Sequence, residues 1–148
     1  MQEFNSKPLV FLDTNVVASY LRGEPHSSQL FSDEMVSKVR LAIDPIVLQA
    51  LSFLDETRAH PEVLDEIQQD VRLLPLNLEK AEEYLNPAIN LRDRVAHSND
   101  VLILSSASDC DYFVTYDKAL GNTLTLLPSK KPKAVTPEQL ISQFTSKV

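Results

Sequence analysis

The chain has 148 residues, 43% of them hydrophobic and 24% charged, with a formal net charge of −7. That is enough for one domain with a real core and is inconsistent with wholesale disorder, while the acidic balance argues against a broad basic surface for nucleic acid. No apolar run reaches the ~20 residues that span a bilayer, and the N-terminus lacks the basic-then-apolar layout of a secretory signal, so a soluble, cytoplasmic protein is expected.

In chain order, residues 8–12 read as a short apolar strand of the fully buried type. "TNVVASYLRG" reads as a helix closed by Gly23. A polar patch, "EPHSSQ", leads into "LFSDEMVSKVRLA", whose apolar spacing is helical. "IDPIVLQALSFLDETRA" predicts one helix, with Asp44 as N-cap and Pro45 in the first turn. "PEVLDEIQQDV" continues helical and "VRLLPLN" reads as a second short strand. Residues 78–90 predict a helix whose end is blurred by Pro87. Then "HSND" offers Ser98 or Asn99 as a cap, and "VLILSSASD" forms a compact helix. "DYFVTYD" is a β-branched and aromatic strand ending on Asp117. "NTLTLLP" predicts a further strand and "KAV" a short one. "TPEQLISQF" closes as a helix capped by Thr136, with Pro137 at its first position.

Strands alternating with helices predict an α/β fold: a three-layer sandwich with a mainly parallel central sheet, in a single domain over residues 1–148. Two glycines in the whole chain leave no Gly-rich phosphate loop, and a single cysteine, Cys110, leaves no internal disulfide and no multi-cysteine zinc site. Cys110 reads as a small buried residue.

The acids carry the functional signal. A buried carboxylate without a partner is costly, yet the first strand runs straight into Asp13. Asp117 ends the "YFVTY" strand, and Asp100 falls in the first turn of the helix that feeds it. Each has a plain structural use: Asp13 as a helix cap, Asp100 as a favourable charge at a helix N-terminus, Asp117 as a turn former before Lys118. Open α/β sheets gather ligands outside the carboxyl ends of their strands, so the joint placement points to a site. Oxygen-rich sites of this kind suit Mg²⁺ or Mn²⁺. A phosphotransfer receiver also uses acids at strand ends, but it wants a lysine and a Ser/Thr at separate later strand ends. Here Thr115 and Lys118 share the strand end of Asp117.

"VFLDTNVVASYL" together with "NDVLILSSASDCDYFVTYDKAL" resembles the PIN domain family, and the closing "AVTPEQLISQF" fits it too, so the resemblance spans nearly the whole chain. It implies a metal-dependent ribonuclease directed at single strands, and a likeness to the VapC group, the toxins of toxin–antitoxin pairs. By that resemblance Asp13, Asp100 and Asp117 match the metal-binding and catalytic acids. Asn15, Thr14 and Thr115 match the polar residues that support them. The resemblance also implies a homodimer and a small antitoxin that covers the site. Arg92, Arg94, His97 and Lys118 flank these acids in sequence; Arg94 and Lys118 are the candidate contacts to RNA phosphates. The densest basic cluster, Lys130, Lys131 and Lys133, is either a solvated loop tip or a phosphate contact.

One position departs from the pattern. VapC-like chains usually carry a glutamate in the helix that here reads "IVLQALSFL", and Ala50 stands at its place. Gln49 points about 100° away around a helix of 3.6 residues per turn. Three acids instead of four hold a divalent ion more weakly. Asp33, Glu34 or Asp111 are the candidates for replacing the charge. The alternatives to an active enzyme are a weakened one, or a catalytically silent PIN-fold module that acts through an antitoxin or dimer contacts.

Overall fold

The computed structural model describes residues 7–84, 98–126 and 130–145. Strand β1 (Leu9–Leu12) leads into helix α1 (Thr14–Leu21), which ends at Gly23 with a φ of 83°. That left-handed conformation is the one glycine adopts without strain. Two short helices, α2 (Pro25–Leu30) and α3 (Asp33–Val36), precede strand β2 (Arg40–Ile43). Then come α4 (Pro45–Ser52), α5 (Asp55–Ala59), α6 (Glu62–Asp70), strand β3 (Arg72–Leu73) and α7 (Leu78–Tyr84). Helix α8 (Ser98–Ser106), strand β4 (Tyr112–Val114), α9 (Lys118–Leu124), strand β5 (Lys133–Val135) and α10 (Pro137–Phe144) complete the described chain.

The five strands form one sheet in the order β3-β2-β1-β4-β5, parallel throughout. This is the expected α/β architecture, a parallel sheet flanked by helices. β1 lies at its centre, in register with β2 (Val10 opposite Leu41) and with β4 (Phe11 opposite Phe113). The Phe11 and Phe113 rings stack, with centroids 5.6 Å apart. Val10, Phe11, Leu12, Ile43, Phe113 and Val114 are fully buried, as expected for parallel strands covered on both faces. The chain first steps outward from β1 to β2 and β3, then returns to the other side of β1 for β4 and β5. The topological switch point is therefore between β1 and β4, where such sheets place their ligands.

Four stretches differ from the sequence expectation. Residues 40–43 form a central strand, not the end of a helix. A strand buried on both faces shows no alternation, so "RLAI" carries no periodic sign of its own. "NTLTLLP" was expected to be a strand, but its first three residues close helix α9. Asp117 caps that helix, its Oδ1 accepting from the Leu120 amide at 3.1 Å, and Leu120 and Leu124 bury one face of it. Cap and burial here outweigh the β preference of the threonines. The single helix expected over residues 43–59 breaks at Phe53 into α4 and α5, and the polar "EPHSSQ" holds most of α2. The expected caps at Asp44 and Thr136 are both present, Thr136 as a reciprocal capping box with Gln139.

Candidate functional site

Asp13 is the first residue past β1. Its backbone is extended, and its amide donates to the Val114 carbonyl at 3.0 Å, which carries the β1–β4 ladder one step beyond the strand. The next residue opens α1, so the carboxylate is held at the switch point and is only 7% exposed. Oδ1 accepts from the Thr14 amide at 2.7 Å, and Oδ2 accepts from the Thr115 hydroxyl at 2.7 Å.

Thr115 is the hub of this corner. Its Oγ1 donates to Asp13 and accepts from the Asp117 amide at 3.0 Å and from Asn15 Nδ2 at 3.4 Å. One donor and two lone pairs are all a hydroxyl has, so the side chain is fully committed. Asn15 closes the loop, its Oδ1 accepting from the Tyr116 amide at 3.3 Å. Four residues thus stitch the end of β1 to the end of β4 and fix the position of Asp13.

Burial pushes the Asp13 carboxyl above its ordinary value. The Thr115 and Thr14 hydrogen bonds oppose this, and the charges of Asp100 and Asp117 push it further up. Both acids are therefore near enough to Asp13 for their charge to be felt. Asp100 is half-buried in the first turn of α8, and Asp117 is exposed at the start of α9. A bound cation reverses this balance by favouring the ionised form, and hard carboxylate oxygens are the donors that Mg²⁺ and Mn²⁺ take. By donor chemistry the residues fit such an ion. They do not form a closed cage: among the described residues no group of three or more His, Cys, Asp or Glu side chains gathers tightly enough to hold a metal.

In sequence, no protein-family model matches the chain, and no curated protein gives a significant match. In structure it is similar to a chain of VapBC2 from Rickettsia felis, solved bound to a DNA fragment from the promoter of that pair. The TM-score is 0.65 at 17% identity, over 86% of this chain and 98% of that one. It is also similar to VapBC-1 from nontypeable Haemophilus influenzae (TM-score 0.58, 15% identity, 88% and 98% covered) and to FitAcB from Neisseria gonorrhoeae (0.63, 14%, 87% and 98%).

The fold is PIN-like.

Within this PIN-like fold the remaining sequence candidates separate. Lys118 is exposed in the first turn of α9, next to Asp117. Arg94 lies outside the described residues, as do Arg92 and His97. Ala50 is half-buried in α4, with Gln49 exposed beside it. None of the three acids considered as replacements sits at the switch point. Asp111 is at the opposite end of the sheet, accepting from the Leu9 amide at 2.8 Å and pairing with Lys131 at 3.2 Å. Asp33 and Glu34 belong to α3, which leads into the start of β2 rather than its end. Cys110 is buried as expected, and burial, with the charges of Asp111 and Asp109, pushes its thiol up to about 12.

Sequence reasoning saw Asp44 only as a helix cap. It is that, with Oδ1 accepting from the Val47 amide at 2.9 Å. It is also fully buried at the end of β2, and its Oδ2 has no partner among the described residues. The Ser106 hydroxyl donates to the Leu102 carbonyl instead. The only sequence signal was an acid directly after an apolar run, the same signal that marks Asp13.

Proposed function

We propose that this protein is a metal-dependent ribonuclease of the PIN type, hydrolysing phosphodiesters of single-stranded RNA, and that it serves in the cytoplasm as the toxin of a toxin–antitoxin pair. The observation that carries this reading is Asp13: a carboxylate buried at the switch point of a PIN-like sheet, its pKa raised further by the charges of Asp100 and Asp117. Structural likeness to chains of VapBC and FitAB complexes supports the toxin setting and an antitoxin partner. Homodimerisation follows from the same resemblance.

In this reading Asp13, Asp100 and Asp117 would hold Mg²⁺ or Mn²⁺. Such an ion lowers the pKa of a bound water and offsets charge on the phosphate. The chain's own part is to position and to polarise. The Thr14 amide and Thr115 hydroxyl hold both Asp13 oxygens in place, which fixes a ligand as supporting hydrogen bonds do in metal sites generally. Asn15 and Thr115 keep the two strand ends together. Lys118, with Arg94, contributes positive charge toward RNA phosphates. No serine or cysteine nucleophile is needed.

A second reading is favoured by Ala50. A methyl group replaces the acid that PIN toxins usually carry in this helix, and a module that keeps the fold without catalysis then acts through an antitoxin or its own dimer. A Mn²⁺-dependent assay on single-stranded RNA separates the two. Cleavage by this chain that vanishes in Asp13→Asn establishes the enzyme. Cleavage seen only after Ala50→Glu establishes a silenced site. Cleavage untouched by Asp13→Asn removes Asp13 from the chemistry.

A further inference from the structure

Of the basic cluster at residues 130–133, Lys131 turns to Asp111. Lys130 and Lys133 line a cavity of about 810 Å³ that Lys118 also lines and that opens beside Asp117. The cavity lies between α9 and β5. Leu124, Pro132, Ala134 and Val135 give it an apolar part of the lining, where Gly121 packs beside Ala134 at ordinary van der Waals distance, an added Cβ falling 3.5 Å from the alanine methyl. All three lysines are exposed, and none forms an ion pair with a described acid. Among the described residues of the lining, Asp117 is the only acid. On a chain of net charge −7, three cations around one concave surface form a local positive field against an acidic background, and concave walls focus such fields.

We propose that this cavity is the track for the single-stranded RNA next to the phosphate that is cut, with Lys130 and Lys133 neutralising its phosphates and the apolar part of the lining receiving a base. The inference rests on the ribonuclease reading and gives that site a direction: the strand leaves the acids along α9 toward β5. A single strand presents both a flat apolar face and a charged backbone, and grooves that bind one combine cations with an apolar platform. A polyglutamate peptide offers the charge but gives the apolar lining no flat partner.

The test is binding of a fluorescein-labelled single-stranded oligouridylate by fluorescence anisotropy, in EDTA so that the probe stays intact, over a salt series. For Lys130→Ala/Lys133→Ala we expect about a tenfold weaker Kd, and a log–log salt slope shallower by about 1.4, since each single-strand phosphate contact contributes about 0.7. The conservative pair Lys130→Arg/Lys133→Arg should bind as the parent does. A control pair away from the cavity, Arg58→Ala in α5 with Arg72→Ala in β3 at the other edge of the sheet, should change neither number. Equal losses in both alanine pairs, or no loss in the lysine pair, overturn the track. So does a lysine-pair loss seen with a polyglutamate peptide and not with the oligonucleotide. Failure of the track and failure of the enzyme reading stay distinct. A parent that cuts RNA with Mn²⁺ while the lysine pair binds like the parent sinks the track alone. A parent that binds through the lysines but never cuts sinks the hydrolysis and leaves the track standing.

Discussion

Asp44 and Asp13 are the same residue type in the same local setting, an acid directly after a buried strand, yet they face different balances. Asp13 has donors on both oxygens and two acids nearby; Asp44 has one donor, on Oδ1, and a buried, unpaired Oδ2. Burial pushes the Asp44 carboxyl above its ordinary value, and the Val47 amide, with the nearby Ser106 side chain and the Ile46 and Asp44 amides, opposes this only in part. A raised folded-state value means that the folded chain holds the proton more tightly than the unfolded chain. The stability tied to this group is therefore complete below the ordinary carboxylate value and is lost as pH rises through the raised one. Asp44→Ser keeps an equally good cap and removes the unpaired oxygen. Near neutral pH it should unfold at higher urea, with a gain of about 1 kcal/mol after the small void it leaves is counted. Its stability should also fall less than the parent's between acidic and neutral pH. A variant less stable than the parent near neutral pH would mean that the second oxygen has a partner after all.

Which elements could be read from the sequence depended on whether their signal was local. The caps at Asp44 and Thr136 were legible because a cap is a short-range hydrogen bond between a side chain and an amide three residues on. So was β1, because an apolar run stopped on an acid. β2 was not: its residues are held by pairing with Leu9, Val10 and Phe11 on one side and with Arg72 and Leu73 on the other, all far away in sequence, and tertiary pairing leaves no periodic mark. Helix α9 was misread for the opposite reason, since a local β preference was overruled by a cap on the very residue assigned to the site. Under the proposed ribonuclease reading Asp117 thus has two separable duties, cap and charge. Asp117→Asn keeps a good N-cap and loses the charge; Asp117→Ala loses both. The asparagine variant should match the parent's stability to within roughly 0.5 kcal/mol while losing RNA cleavage, and the alanine variant should cost about 1 kcal/mol more. Chemical denaturation set beside the cleavage assay checks this. Equal destabilisation by both would make the charge, not the cap, the structural contribution of Asp117.

At the scale of the whole molecule, the sheet order matters more than any single contact. Because β1 is central and the chain returns past it to lay down β4, residues about a hundred positions apart in sequence, Asn15 with Thr115 and Asp13 with Thr115, become hydrogen-bond partners. The sequence supplied the acids and their strand ends; only the topology brings them to one corner, and the cavity beside them was invisible because its walls come from α9 and β5, one misread and one only three residues long. Concentrating negative charge at that corner works against the fold, since Asp13 is penalised by burial and by its neighbours. A ligand that relieves the penalty must then stabilise the fold by mass action: about 2.7 kcal/mol at a hundredfold excess over its Kd, or roughly 5–10 °C in melting temperature for a domain of this size. Mn²⁺ should produce that rise in the parent. Asp13→Asn removes the buried charge and should begin from a higher melting temperature without metal, then respond little to Mn²⁺, so that the order of the two proteins reverses as metal is added. Calorimetry with and without Mn²⁺ reads this without any RNA. Parallel curves, with both proteins rising equally, would place the ion somewhere other than Asp13.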